Sequence, residues 1–160
     1  MATPTLIDRF LLDQVIAAAV ASPRRRRNHN FHSSDSDAAH RLLNAIEPGS
    51  YVPPHRHLDP AKDETMLLLR GRLGVVFFAE DGQVSAQALL EAGGECCGVN
   101  IPHGVFHSVL ACTPGTVFFE AKAGPWAPLS EAERAPWAPG ENDAGAVAYH
   151  ASLSALFATR

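Results

Sequence analysis

The chain is poor in cysteine, in charge and in long apolar runs. Only three of its 160 residues are cysteine. Cys96 and Cys97 are adjacent, so on a strand they would face opposite sides, and Cys112 leaves the count odd. No disulfide framework follows from that arrangement, and the Cys-Cys pair lacks the spacing of a zinc motif. Reduced thiols in a cytoplasmic protein are the expectation. Charged residues make up 19% of the chain, and the formal net charge is −4. This gives no electrostatic ground for expecting nucleic acid as a partner, and no helix-turn-helix segment is visible. The longest apolar run near the N-terminus, "VIAAAVA", follows acidic residues and is too short for a secretory signal or a bilayer span. No membrane association is expected. No repeat has a solenoid or propeller period.

What is present is an ordinary globular balance, with 46% apolar residues in a length that suits one compact domain. Residues 5–21 read as a helix with Leu6, Phe10, Val15 and Ala19 near one face, stopped by Ser22-Pro23. The polar stretch from Arg24 to Asp37 reads as a connecting loop, and its four consecutive arginines as a solvated segment or an anion contact. Beyond it, "RLLNAI", "MLLLRGRLGVVFFA", "VSAQALL", "CGVNI", "GVFHSVLA" and "GTVFFEA" are short apolar runs separated by glycine- and proline-containing breaks. Such spacing predicts an antiparallel barrel or sandwich. Asp81-Gly82 marks a hairpin, and Arg70-Gly71-Arg72 marks another tight reversal. The proline- and tryptophan-rich stretch after Lys122 reads as an extended wrap, closed by a short helix from about 144 to 157. The expected organisation is a helix and polar loop over 1–37, a β-barrel over 38–123 and a packed extension over 124–160.

The chemistry concentrates in "GSYVPPHRHLDPAKDETMLLLRG", residues 49–71. On an extended strand, residues i and i+2 share a face, so His55 and His57 would present two imidazoles side by side. Glu64 can bring a carboxylate to the same point from the next strand, although six residues intervene and Asp63 is a rival. His107 in "IPHGVFHSV" supplies a third imidazole from a following strand, with His103 in the preceding turn as the weaker choice. Three imidazoles and a carboxylate suit one divalent transition metal such as Fe, Mn, Ni, Zn or Co, and suit Ca or Mg poorly. Strand parity carried along from these residues turns Tyr51, Met66, Leu68, Arg70, Val105 and Val109 inward as well. Tyr51, Arg70 and His29 are the candidate catalytic or anchoring groups. In a lid reading of "NHNFH", Asn28, His29 and Asn30 reach a ligand. His40 and His150 read as surface residues, and Trp126 and Trp137 as packing residues of the wrap.

The two histidine segments resemble the paired motifs of the cupin superfamily. The first is Gly49, five residues, His55-x-His57, Glu64, six residues and Gly71; the second is Pro102-x-Gly104-x-x-His107. The resemblance implies a double-stranded β-helix (jelly-roll) barrel that binds one metal through His55, His57, Glu64 and His107. Two departures stand out: the long turn between His57 and Glu64, and Ala111 where the second motif usually carries asparagine. Over nearly the whole chain, "SPRRRRNHNFH", "RLLNAIEPGSYVPPHRH", "LRGRLGVVFF", "GTVFFEAKAGPW" and "APWAPGE" resemble the WbuC family of cupin-fold metalloproteins. That family is associated with bacterial surface-polysaccharide gene clusters, which implies a sugar-like or nucleotide-sugar ligand. Three roles are compatible with such a barrel: an isomerase- or epimerase-like enzyme, an iron-dependent oxygenase-like enzyme, or a non-catalytic small-ligand binder. Exposed sheet edges would favour a homodimer.

Overall fold

The computed structural model describes residues 3–158, so the outermost residues of the expected first and last segments, 1–2 and 159–160, lie outside it. The fold is mainly β, a barrel of two antiparallel sheets flanked by an N-terminal helix and a C-terminal wrap that ends in a short helix. Among the described residues, no helix is long and apolar enough to cross a membrane.

Helix α1 runs over Arg9–Ala21. It starts there because the Asp8 side chain accepts the Leu11 N–H at 3.0 Å, satisfying one of the donors a helix N-terminus leaves open. The buried stripe is Leu11, Val15 and Ala19, spaced by four residues. The expected face is therefore corrected. Phe10 lies one residue, about 100° of helical turn, off that stripe and is 69% exposed, and Leu6 precedes the helix. Leu11, Val15 and Ala19 pack on Leu43, Ala45 and Val117 of the larger sheet.

The larger sheet has five strands in the order β1-β2-β8-β3-β6, with β1 Arg26–Asn30, β2 Ala39–Ile46, β3 Glu64–Arg70, β6 Gly98–Ile101 and β8 Thr116–Ala123. The smaller has the order β5-β4-β7, with β4 Arg72–Phe78, β5 Val84–Glu91 and β7 Phe106–Ala111. Strand β1 corrects the loop expected over 24–37, since Arg26 to Asn30 pair antiparallel with Ile46 to Leu42. It has no apolar alternation to reveal it, because one of its faces meets a polar cavity. Within the arginine run, Arg24, Arg25 and Arg27 are exposed to solvent, and Arg24 and Arg26 both pair with Glu141 of the wrap, at 2.9 and 2.8 Å.

The reversal between β3 and β4 needs Gly71, which has φ +81° and whose Cβ, if it had one, would lie 2.5 Å from Thr116 Oγ1. Between the sheets lies a core that includes Ile46, Met66, Leu68, Leu73, Val75 and Phe118. The outer face of the smaller sheet is covered by helix α2, Ala146–Ala155, and the residues after it. Gly74 permits this contact, because a Cβ there would meet the Phe157 ring at 2.6 Å. Strand β7 is consequently buried at all of its positions, with the core and cavity on one side and the C-terminal segment on the other. The Asp81-Gly82 reversal joins β4 to β5, where Ala79 N–H donates to Gln83 O at 2.9 Å.

Candidate metal centre

Residues 52–57 form no regular strand, because Pro53 and Pro54 cannot donate to a ladder. They are held in an extended line by pairing on both sides. On one side His55 and His107 exchange backbone hydrogen bonds, His55 N–H to His107 O at 3.0 Å and His107 N–H to His55 O at 2.9 Å. On the other, Ala135 N–H donates to Pro54 O, and Arg56 N–H donates to Glu133 O. Gly104, in the turn before β7, donates its N–H to His57 O at 2.7 Å. The two histidine motifs are therefore stitched together through their backbones. Arg56 points away from the cavity, over the Phe106 ring at 4.2 Å and against Glu80 at 2.7 Å.

The imidazoles of His55 and His107 are oriented by the same device. His55 Nδ1 lies 3.0 Å from Pro53 O, and His107 Nδ1 lies 3.0 Å from Val105 O. A carbonyl can only accept, so Nδ1 carries a proton in each ring and Nε2 is the atom left to meet a metal. The two ring centroids are 4.6 Å apart. Burial, and then the neighbouring His107, pushes the His55 imidazolium down to about 3, so this ring is neutral at ordinary pH.

Glu64, the first residue of β3, closes the group. His55, His57 and Glu64 each offer a ligand atom, and those atoms lie within 4.8 Å of one another. Glu64 Oε2 is 3.6 Å from His57 Nε2 and 3.2 Å from His107 Nε2. The second contact is between two buried atoms that lack a hydrogen-bond partner. With Nδ1 of His107 committed to Val105 O, its Nε2 and the Glu64 carboxylate oxygen meet across a gap that only a shared proton or a metal ion can satisfy. Burial alone would raise the Glu64 carboxyl. The imidazoles of His107 and His57 and the Lys122 ammonium outweigh it and hold the group well below the usual carboxylate range. An anionic oxygen, the neutral His55 ring and two buried polar atoms without a hydrogen-bond partner, converging on one point, fit a divalent transition metal.

The rival ligands satisfy each other elsewhere. Asp63 Oδ1 accepts from both the backbone N–H and Nδ1 of His103, each at 2.9 Å. The long turn from Leu58 to Asp63 is a compact reversal in which Lys62 N–H donates to Asp59 O and Ala61 N–H to Asp59 Oδ1. It sets Glu64 at the strand start and directs Asp63 outward.

The expected second group is not at this centre. Tyr51 is buried, but its hydroxyl donates to Pro139 O at 2.8 Å and its ring packs edge-on against Tyr149. The prolines between Tyr51 and His55 break the alternation that would have turned it inward. Burial, with Tyr149 nearby, raises its phenol above the ordinary value. Arg70 lies beyond a register shift between Leu68 and Arg70, which reverses its parity and pairs it with Asp13 on the surface. His29 packs edge-on against Phe31 at 5.2 Å, on the side of β1 opposite Asn28 and Asn30. Met66 and Val109, in contrast, do line the cavity.

The cavity has a volume of about 370 Å³. Several of its polar residues lie outside both histidine motifs. Lys122 and Glu120, two positions apart on β8, both turn inward; Lys122 Nζ lies 3.2 Å from Glu64, 2.8 Å from Glu120 and 3.4 Å from His57 Nε2. Asn44 Nδ2 donates to the other Glu120 oxygen at 2.6 Å. Burial and the nearby Glu64 push the Glu120 carboxyl up, with Lys122 pulling the other way. His40, expected at the surface, is buried and stacked on His32 at 4.0 Å between ring centroids, and both rings line the cavity. Trp126 lines it too and is 57% exposed, whereas Trp137 packs against Phe78 and Phe106.

This combination of sheets and central histidine cluster defines the class as a cupin barrel, and solved structures of that fold resemble the chain. A cupin superfamily protein from Desulfitobacterium hafniense DCB-2 is 13% identical, with 77% of this chain and 95% of that one covered at a TM-score of 0.54. KdgF from Halomonas sp. is 15% identical over 67% of this chain and 85% of that one, at 0.50. An oxalate decarboxylase is 21% identical over 66% of this chain and 28% of that one, at 0.51. The chain belongs to the family described as "Domain of unknown function (DUF6016)", whose model matches residues 7–90, just over half of the sequence. That span contains His55, His57 and Glu64 and stops short of His107. No curated protein matches the chain.

Proposed function

We propose that this barrel holds one divalent transition metal through His55, His57, Glu64 and His107 and binds a small polyhydroxylated ligand beside it. The observation that carries the metal reading is the meeting of Glu64 Oε2 and His107 Nε2, two buried polar atoms 3.2 Å apart with no hydrogen bond to satisfy either. A bound ion would serve as a Lewis acid toward a ligand oxygen. Around it, the chain's own residues would select the ligand. Asn28 and Asn30 on β1 offer amide donors and acceptors, Met66 and Val109 offer apolar surface, and exposed Trp126 offers a ring face. Alternating amides and apolar contacts suit a sugar-like molecule, and the WbuC-like segments in the sequence support the same class, extended to nucleotide sugars of surface-polysaccharide metabolism. Arg26, half-buried and tied to Glu141, stands nearby for an anionic substituent.

The test is elemental analysis of protein purified without chelator, followed by calorimetric titration of the metal-loaded protein with sugars and nucleotide sugars. One ion per chain and saturable sugar binding weakened by Asn30→Ala are the expected results. Metal without any sugar binding would remove the ligand half of the reading, and iron as the native metal would turn it toward oxygen chemistry.

A further inference from the structure

Lys122 stands where neither histidine motif puts anything. Strands β3 and β8 pair with Thr65 opposite Ala121 and Met66 opposite Glu120, which makes Glu64 and Lys122 neighbours at the end of the ladder. An ammonium group has three donors. Here three acceptors surround it: Glu64 Oε1 at 3.2 Å, Glu120 Oε1 at 2.8 Å and His57 Nε2 at 3.4 Å. Two of those three belong to side chains of the metal site. The third, Glu120, does not, and it is fixed from behind by Asn44 at 2.6 Å.

A divalent ion bonded to Glu64 and His57 would therefore meet a positive charge already in contact with the same side chains. Like charges at that distance in a buried site repel strongly. Glu120 is a second place for the ammonium to go. We propose that Lys122 is a tethered counter-ion of the metal centre: it neutralises Glu64 in the metal-free protein and withdraws onto Glu120 when a divalent ion enters. The Lys122–Glu120 pair then sets how tightly the site holds its ion. This inference rests on the metal reading above, and it assigns to two residues outside the histidine motifs a role in metal affinity.

The test is titration of metal-free full-length protein with Mn²⁺ and Zn²⁺ by calorimetry, for wild type, K122M, K122Q, K122R and E120Q. Thermal melts confirm that each variant is folded, and K122Q carries the test if K122M is not. Removing the ammonium should tighten binding by about tenfold or more in both K122M and K122Q. K122R, which keeps the charge, should not tighten it. E120Q should weaken binding, and a double-mutant cycle should show that much of its effect disappears in the K122M background. Wild-type binding with unchanged or weaker affinity in K122M and K122Q would overturn the proposal and leave the metal reading standing. Binding by K122M but not by wild type would contradict a metal in the native protein and support Lys122 as its competitor. No binding by any variant would refute both.

Discussion

The two walls of the cavity hold their functional side chains by different means. On the side of β7 and the 52–57 segment, the groups are imidazoles. The rings of His55 and His107 are aimed by backbone carbonyls two residues upstream, and their main chains exchange hydrogen bonds directly. Across from them, on β2, β3 and β8, the groups are charged, and they are aimed by one another through Asn44, Glu120, Lys122 and Glu64. The orientation of His55 and His107 is set by backbone atoms and not by charged neighbours. The charged wall is a chain of mutual dependence, in which removing one member strands the next. The first wall can present fixed lone pairs to an ion, and the second can rearrange when one arrives.

Four changes would sharpen or break that contrast. The largest effect is expected from Glu64→Ala, which removes the anion shared by both walls. Divalent-metal affinity measured by calorimetry should fall by more than about a hundredfold, beyond what loss of a supporting partner costs. Next is Asn44→Ala, which leaves a buried Glu120 oxygen without its donor. Urea unfolding of the metal-free protein should show a loss of about 1–3 kcal/mol, with the order of affinity among metals unchanged.

A smaller effect is expected from Glu133→Gln, behind the imidazole wall. Glu133 accepts the Ser130 N–H and the Leu58 N–H, and so ties the end of the histidine segment to the wrap. Those backbone donors, with the Ser130 hydroxyl, draw its carboxyl down to about 2 from an ordinary 4.5. A depressed carboxyl stabilises fully above its unfolded value and loses that contribution as pH falls through the folded one. Melting curves of wild type and variant should therefore be separated above about pH 4.5 and converge toward about pH 2. The smallest effect belongs to the double change Asp63→Asn with His103→Ala. These two groups pair outside the cavity in solvent, so metal affinity should be unchanged and the melting temperature should barely move. A large drop in affinity would mean that the long turn contributes a ligand after all.

The same contrast explains what could be read in the sequence. The imidazole wall is legible because His55-x-His57 and Pro102-x-Gly104-x-x-His107 carry their spacing in the chain itself, and the barrel strands are legible because apolar runs alternate with turn residues. The charged wall rests on register between distant strands. Glu120-x-Lys122 shows the same i, i+2 pattern as the histidines, and parity from buried Phe118 would have turned both inward. Strand β1 was hidden because its polar residues face a polar cavity on one side. Simple alternation misdirects Arg70 and Tyr51, because it does not survive a register shift or a pair of prolines.

The most direct test of the central claim is anomalous scattering from crystals of the full chain grown with Mn²⁺ or Zn²⁺, collected at the metal edge. One strong peak per chain is expected, within bonding distance of Nε2 of His55, His57 and His107 and of the Glu64 carboxylate. An empty centre at saturating metal, or a peak at Asp63 and His103 instead, would contradict it.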